Sequence, residues 1–189
     1  MPHIPLAGHL PGITGLLEYR VDTALPIREL TQILLRGAST LTEAERELIA
    51  TVVSHGNGCR FCTTAHTAAA DLLLGEHTTA QAVKDDLAQA PISDKLKGLL
   101  EIARNVQQSG KRVTAALVEK AKAQGATDRE IHDTVLIAAL FCLYNKYVDG
   151  LASVTPDDPA FYQRLADRIV HHGYGRLPQG YDHLNASKD

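Results

Sequence analysis

The segment Cys59-Arg60-Phe61-Cys62-Thr63-Thr64-Ala65-His66 joins two thiols and an imidazole at spacings of three and four residues. On a helix those spacings bring Cys59, Cys62 and His66 onto one face, each within about one turn of the next. A thiolate, a partner thiol and a proton carrier are the parts of a thiol redox centre. The reactive form of cysteine is the thiolate, and an ordinary thiol, with a pKa of about 8.5, is mostly protonated at neutral pH. Gly56-Asn57-Gly58 reads as a chain break that would leave Cys59 and Cys62 in the first turn of a new helix. Unpaired amides at a helix start favour the thiolate. An imidazole such as that of His66 is the side chain suited to carry the proton away near physiological pH. The second thiol lets oxidation end in a reversible disulfide, by condensation with a sulfenic acid or by exchange with an incoming disulfide.

The elements around this motif read as helices. Residues 1–20 carry Pro2, Pro5, Pro11 and three glycines, which predict an irregular arm with no regular element before about Leu16. Leu25, Ile27, Leu30, Ile33, Leu34 and Leu35 trace an apolar stripe, predicting a helix from about Asp22 to Arg36. Thr42 with Glu45 makes a capping box before an apolar helix from about Glu43 to His55, and the Cys/His helix follows from Cys59 to Leu74. Further helices are expected from Thr79 to Gln89, Ser93 to Gln108 and Thr114 to Gln124. Thr127 and Glu130 repeat the capping pattern before a long helix from Ile131 to about Val148, and Pro159 to His171 supplies the last. No segment alternates for long as a strand does. The expected fold is all-α: one domain over residues 1–189, a bundle of about eight helices with its core at about 22–151 and a C-terminal helix and tail at 157–189.

At 189 residues, 44% apolar and 22% charged, the chain has the length and composition of one ordinary soluble domain. A net charge of -3 with scattered basic residues gives no reason to expect nucleic acid. No apolar run is long enough to span a membrane, and Met1-Pro2-His3 does not open a secretory signal, so the expected location is cytoplasmic. A stable structural disulfide is uncommon there, which turns the Cys59/Cys62 pair toward catalysis or metal binding. Cys142, in an apolar stretch, reads as a small buried hydrophobe. His77 and His132 read as surface positions. His171, His172 and His183, with Tyr174 and Tyr181, fall in a Gly-rich tail expected to be an arm on a neighbouring subunit or a frayed end.

Two stretches carry a family likeness. Leu41-Thr42-Glu43-x-Glu45-Arg46-Glu47 leading through Asn57-Gly58-Cys59-x-x-Cys62-x-x-x-His66, together with Tyr144-Asn145-Lys146-Tyr147-Val148-Asp149-Gly150-Leu151, resembles the carboxymuconolactone decarboxylase superfamily. Within it the chain is similar to the AhpD-like alkylhydroperoxidases and peroxidase-related proteins, over roughly Leu25 to Leu151. The resemblance implies an AhpD-like bundle, reduction of a hydroperoxide substrate, recycling by a dithiol reductant, and a homo-oligomer, trimer or hexamer. No cofactor and no metal are expected. It also implies roles: Cys62 is the thiol oxidised to a sulfenic acid, Cys59 resolves it, and Glu47 with His66 relays the proton. By pattern alone Glu47 sits in the acidic run Glu43, Glu45, Glu47 and reads as solvated surface. Asn145 and Asp149, one turn apart, are expected to tie helices together near the site.

The chain departs from the pattern at Arg60 and Phe61, where AhpD has a further histidine between its cysteines, and that leaves the substrate and reductant undefined. Lys146 stands where arginine is frequent and keeps the charge without the bidentate fork. Decarboxylase members acting on a muconolactone lack the CxxC pair, so Cys59 and Cys62 argue against that reaction. Two rival readings stay open. His55, Cys59, Cys62 and His66 could offer four ligands to a zinc ion, or the thiols could serve a helical oligomer as a redox sensor without turnover.

Overall fold

The computed structural model describes residues 1–181 and Leu184; His183 lies outside the described residues. The fold is all-α. Among the described residues the helices are α1 (Ile13–Tyr19), α2 (Val21–Arg36), α3 (Glu43–Gly56), α4 (Arg60–Leu74), α5 (Thr79–Asp85), α6 (Asp94–Gln108), α7 (Ala115–Ala123), α8 (Asp128–Gly150) and α9 (Pro159–His172). None of these is long and apolar enough to cross a membrane.

The helix starts are written in side-chain chemistry. Thr42 Oγ1 accepts from the Glu45 amide at 3.2 Å while Glu45 Oε2 accepts from the Thr42 amide at 2.8 Å, closing the capping box of α3. Thr127 and Glu130 do the same for α8, with 3.2 and 2.8 Å. Ser93 and Thr114 cap α6 and α7 through their hydroxyls. Two elements differ from the sequence expectation. The N-terminal arm contains α1, because Gly8, Pro11 and Gly12 all precede Ile13 and the stretch behind them is free to coil. α5 stops at Asp85, short of Gln89, because Asp86 turns extended and its Oδ1 accepts from the Ala88 amide at 3.0 Å, a local turn that competes with the helix.

α3 is the central rod. From Ala44 to Ser54 every residue except Glu45 is buried, so this helix is wrapped by α4, α6 and α8. Apolar residues fall into two clusters. The larger joins α2, α3, α5, α6 and α8 through side chains such as Leu35, Ile49, Leu99, Ile137 and Phe141. The smaller joins the arm, α4 and α9 through Leu16, Phe61, Ala65, Phe161 and Leu165. Cys59 and Cys62 belong to the smaller cluster and face the seam between the two.

The arm is tied down where it passes this seam. The amides of His3 and Gly12 donate to the carbonyls of Leu151 and Val154 at 3.0 and 2.8 Å. Gly12 has φ +60, and a Cβ there would lie 2.2 Å from the Phe61 ring. Gly12→Ala therefore combines backbone strain with a ring collision and is expected to cost about 2–5 kcal/mol. At about 2–4 °C per kcal/mol, thermal denaturation should show a fall in Tm of several degrees or more.

Candidate active site

α3 ends at Asn57, whose amide donates to Val53 O at 3.0 Å, and Gly58 turns the chain through φ +71. That left-handed step favours glycine. It sets Cys59 at the N-cap of α4, held by its own amide on Ser54 O at 3.1 Å. Cys62 then falls in the first helical turn and His66 one turn further. The expected placement of the motif on a helix start is observed. Both thiols are free and buried, Cys59 at 0% exposure and Cys62 at 3%.

Cys62 and His66 line one cavity of about 50 Å³, room for a small group or a few waters. Its walls include Phe61 and Ala65 of α4, Phe141 and Tyr144 of α8, and Leu165 and Ile169 of α9. Cys59 is not among the lining residues and lies behind Cys62 in the core. The His66 ring stands edge-on to Phe141, with centroids 4.5 Å apart, which fixes its plane.

His66 Nδ1 is 2.7 Å from Glu47 Oε2. Glu47 is 0% exposed, so the pattern-based reading of this residue as solvated surface is overturned. Glu47 lies in the second turn of α3 against His66 of α4, and partners on both oxygens stabilise its burial. Arg36 Nη2 donates to Oε1 at 2.5 Å and the Tyr174 hydroxyl donates to the same oxygen at 2.6 Å. Burial alone would raise the Glu47 pKa, but the hydrogen bond and charge of His66, the charge of Arg36 and the Tyr174 hydroxyl outweigh it, so its carboxyl lies below the ordinary value. Glu47 is a fixed anion. Burial, followed by the charge of Glu47, pushes the Tyr174 hydroxyl well above the ordinary value, so it stays a donor. In the neutral tautomer that donates Nδ1–H to Glu47, the other ring nitrogen of His66 carries the lone pair that can accept a proton.

The thiols differ from expectation in one respect. The adjoining Cys59 side chain, then burial, push the Cys62 thiol well above its ordinary value, opposed by a hydrogen bond with Asn145. The helix start expected to favour the thiolate is outweighed, and the protonated thiol of Cys62 is favoured instead. Asn145 sits in a buried polar chain: its Nδ2 donates to Ser54 Oγ at 3.0 Å and its Oδ1 accepts from Asn57 Nδ2 at 2.8 Å, while Asn57 Oδ1 accepts from Gln107 Nε2 at 2.9 Å. Asn145 thus ties α3, α8 and the motif turn together. Asp149 is exposed.

The zinc reading loses its geometry. His55 is exposed at the end of α3, and among the described residues no group of three or more His, Cys, Asp or Glu is placed to hold a metal ion. The tail also differs from expectation. His171 and His172 close α9, and Tyr174 turns back onto Glu47, with its ring 6.3 Å from that of His66 and nearly parallel to it. Tyr174 and Arg36 are site residues that the sequence did not reveal. Arg36 carries only the signal of a basic residue in a last helical turn, and Tyr174 none beyond being an aromatic after Gly173.

Depressed acid groups make stability depend on pH. Burial opposes the charge of Glu130, but Lys95 Nζ at 2.8 Å, Thr40 Oγ1 at 2.9 Å and the Thr127 cap hold it at about 2. A carboxyl whose folded pKa is lowered stabilises the fold above its unfolded value, here 4.5 for a glutamate, and loses that contribution as pH falls through the folded value. Glu47 has the same sign. The melting temperature should hold above pH of about 5 and fall steeply toward about 2, and Glu130→Gln should flatten that fall.

Residues 25–71 match the model of the Carboxymuconolactone decarboxylase family, a stretch that contains Glu47, Cys59, Cys62 and His66. Two solved structures share the fold. An uncharacterized peroxidase-related protein from Silicibacter sp. TM1040 aligns with TM-score 0.72 at 25% identity, covering 78% of this chain and 77% of its own. An alkylhydroperoxidase AhpD core, described as an uncharacterized peroxidase-related protein from Ralstonia eutropha JMP134, aligns with TM-score 0.74 at 24% identity, covering 82% and 80%. No curated protein matches the chain. The family model thus covers the helices that carry the motif, and the two solved structures share the fold of the larger part of the chain.

Proposed function

We propose that the chain is a thiol-dependent peroxidase in which Cys62 reduces a hydroperoxide. The observation that carries this reading is the cavity shared by Cys62 and His66, with His66 pinned through Nδ1 to a buried, ionised Glu47. His66 takes the Cys62 proton, and Glu47 orients the ring and stabilises the imidazolium. The thiolate attacks one peroxide oxygen: the S–O bond forms, the O–O bond breaks, and the departing alkoxide takes the proton held by His66. Sulfur supplies the two electrons and becomes a sulfenic acid. Cys59, directly behind it, then attacks that sulfur, and the two residues close a disulfide with loss of water. A dithiol reductant restores the pair and leaves as its own disulfide.

In this mechanism the relay is an orienter and a base. The depressed Glu47 carboxyl does not itself carry the proton. Exposed Leu30 and Ile33 on α2 and Leu143 on α8 supply apolar surface for the homo-oligomer, and sedimentation would read its size.

The test is a single turnover. Reduced protein mixed with one equivalent of hydroperoxide should yield the Cys59–Cys62 disulfide by mass spectrometry within seconds, with Cys142 still alkylatable. Thiols that persist unchanged for hours would rule the peroxidase reading out.

A further inference from the structure

The cavity in front of Cys62 carries charge that the chemistry above does not use. Arg28 of α2 and Arg168 of α9 both line it, and each is only 3% exposed. Arg28 Nη2 donates to Glu18 Oε1 at 2.9 Å, and Glu18 is shared with the exposed Arg176, at 2.8 Å. Arg168 meets no carboxylate among the described residues: its Nη1 and Nη2 donate to the carbonyls of Gly173 and Gly175 at 2.8 and 2.7 Å. The Nε atoms of both arginines are buried and have no hydrogen-bond partner among the described residues. Both guanidinium carbons lie over one ring, that of Tyr181, at 5.1 and 4.8 Å from its centroid.

Arginine is almost never buried without a counter-charge, because desolvating a cation is costly. Around this cavity Arg28 pairs with Glu18 and Arg36 pairs with Glu47 and, at 3.5 Å, with Glu43, while Arg168 has no carboxylate within hydrogen-bond distance among the described residues. Two carbonyl oxygens would satisfy a neutral donor as well as they satisfy Arg168. The remaining walls near the arginines are apolar, among them Ile13, Leu17 and Ile169. A neutral alkyl hydroperoxide would fill that apolar part and leave the cation unanswered. A carboxylate would supply the missing charge and accept from guanidinium N–H groups in the planar geometry arginine favours.

We propose that the site takes short hydroperoxides bearing a carboxylate, whose anionic end docks on Arg28 and Arg168 while the peroxide reaches Cys62. The inference rests on the peroxidase reading for the reaction at Cys62, though not for the anion site itself. The cavity volume keeps the apolar stem short. The oxygen transfer to sulfur is the one already written, with the alkoxide of the hydroxy acid as leaving group.

The test compares hydroperoxyacetate with its methyl ester in single turnovers, and separately asks whether butyrate, of the same chain length, slows iodoacetamide alkylation of Cys62. The acid should react about 10–100-fold faster than the ester at limiting concentration, the range of one good charged contact. Arg168→Gln should bring that ratio close to one, with Arg168→Lys retaining part of it. Butyrate, and not methyl butyrate, should protect Cys62. Equal wild-type rates without butyrate protection would overturn the inference while leaving the peroxidase reading intact. Protection by butyrate with no oxidation by either peroxide would uphold the anion site and overturn the peroxidase reading. The wild-type comparison decides even if the Arg168 variants fold poorly.

Discussion

Cys62→Ser is expected to abolish peroxide-driven oxidation, lowering the single-turnover rate by at least about 10³-fold, since a serine hydroxyl has no thiolate to offer and no sulfenic acid to form. Cys59→Ser should act differently. The first oxidation at Cys62 should proceed, one equivalent of peroxide should be consumed, and the product should stop as a sulfenic acid trappable by dimedone instead of closing to a disulfide. The asymmetry follows from position, because Cys62 lines the cavity and Cys59 lies behind it. If Cys59→Ser lost the first oxidation and Cys62→Ser kept it, the two roles would be reversed. Mass spectrometry on the two variants after one equivalent of peroxide distinguishes these outcomes directly.

Glu47→Gln has the second largest expected effect, and it acts twice. Catalytically, an amide cannot hold His66 in the productive tautomer with the same electrostatic support, so the rate should fall about 10²–10⁴-fold and its pH profile should shift. Structurally, Arg36, whose side chain is 5% exposed, would lose the anion it faces at 2.5 Å and keep only the more exposed Glu43 at 3.5 Å, a loss of at most about 3–5 kcal/mol. Thermal melting and single-turnover kinetics on the same variant separate the two effects. The double variant Arg36→Met with Glu47→Gln should recover much of the stability and little of the rate, because only the structural penalty comes from the buried cation. An unchanged pH profile in Glu47→Gln would remove Glu47 from the reaction.

The helices were legible because their signals are local. Capping boxes at Thr42 and Thr127, breakers at Gly56 to Gly58, and an apolar stripe on each helix depend only on residues a few positions apart. The motif was legible for the same reason, since Cys59, Cys62 and His66 fall within the cap and first two turns of one helix. The partners of that motif come from far along the chain. Arg36 approaches from α2 and Tyr174 from the tail, and nothing in their own neighbourhoods marks them. Glu47 shows the limit most clearly: its pattern reads as surface, and only the convergence of Arg36, His66 and Tyr174 makes its complete burial tolerable. The raised Cys62 thiol is likewise a property of burial and of Cys59 at close quarters, which a helix-start argument does not contain.

Tyr174 follows Glu47 by 127 residues. On a ribosome adding about 5–20 residues per second, the cysteines emerge roughly ten seconds before the residue that closes over their relay. During synthesis the thiols exist without the assembled Glu47 network, so their encounters with oxidants at that stage follow ordinary cysteine chemistry. The full hydrogen-bond network around Glu47 comes into being only after the tail has been made and has folded back, a late event in the life of each molecule.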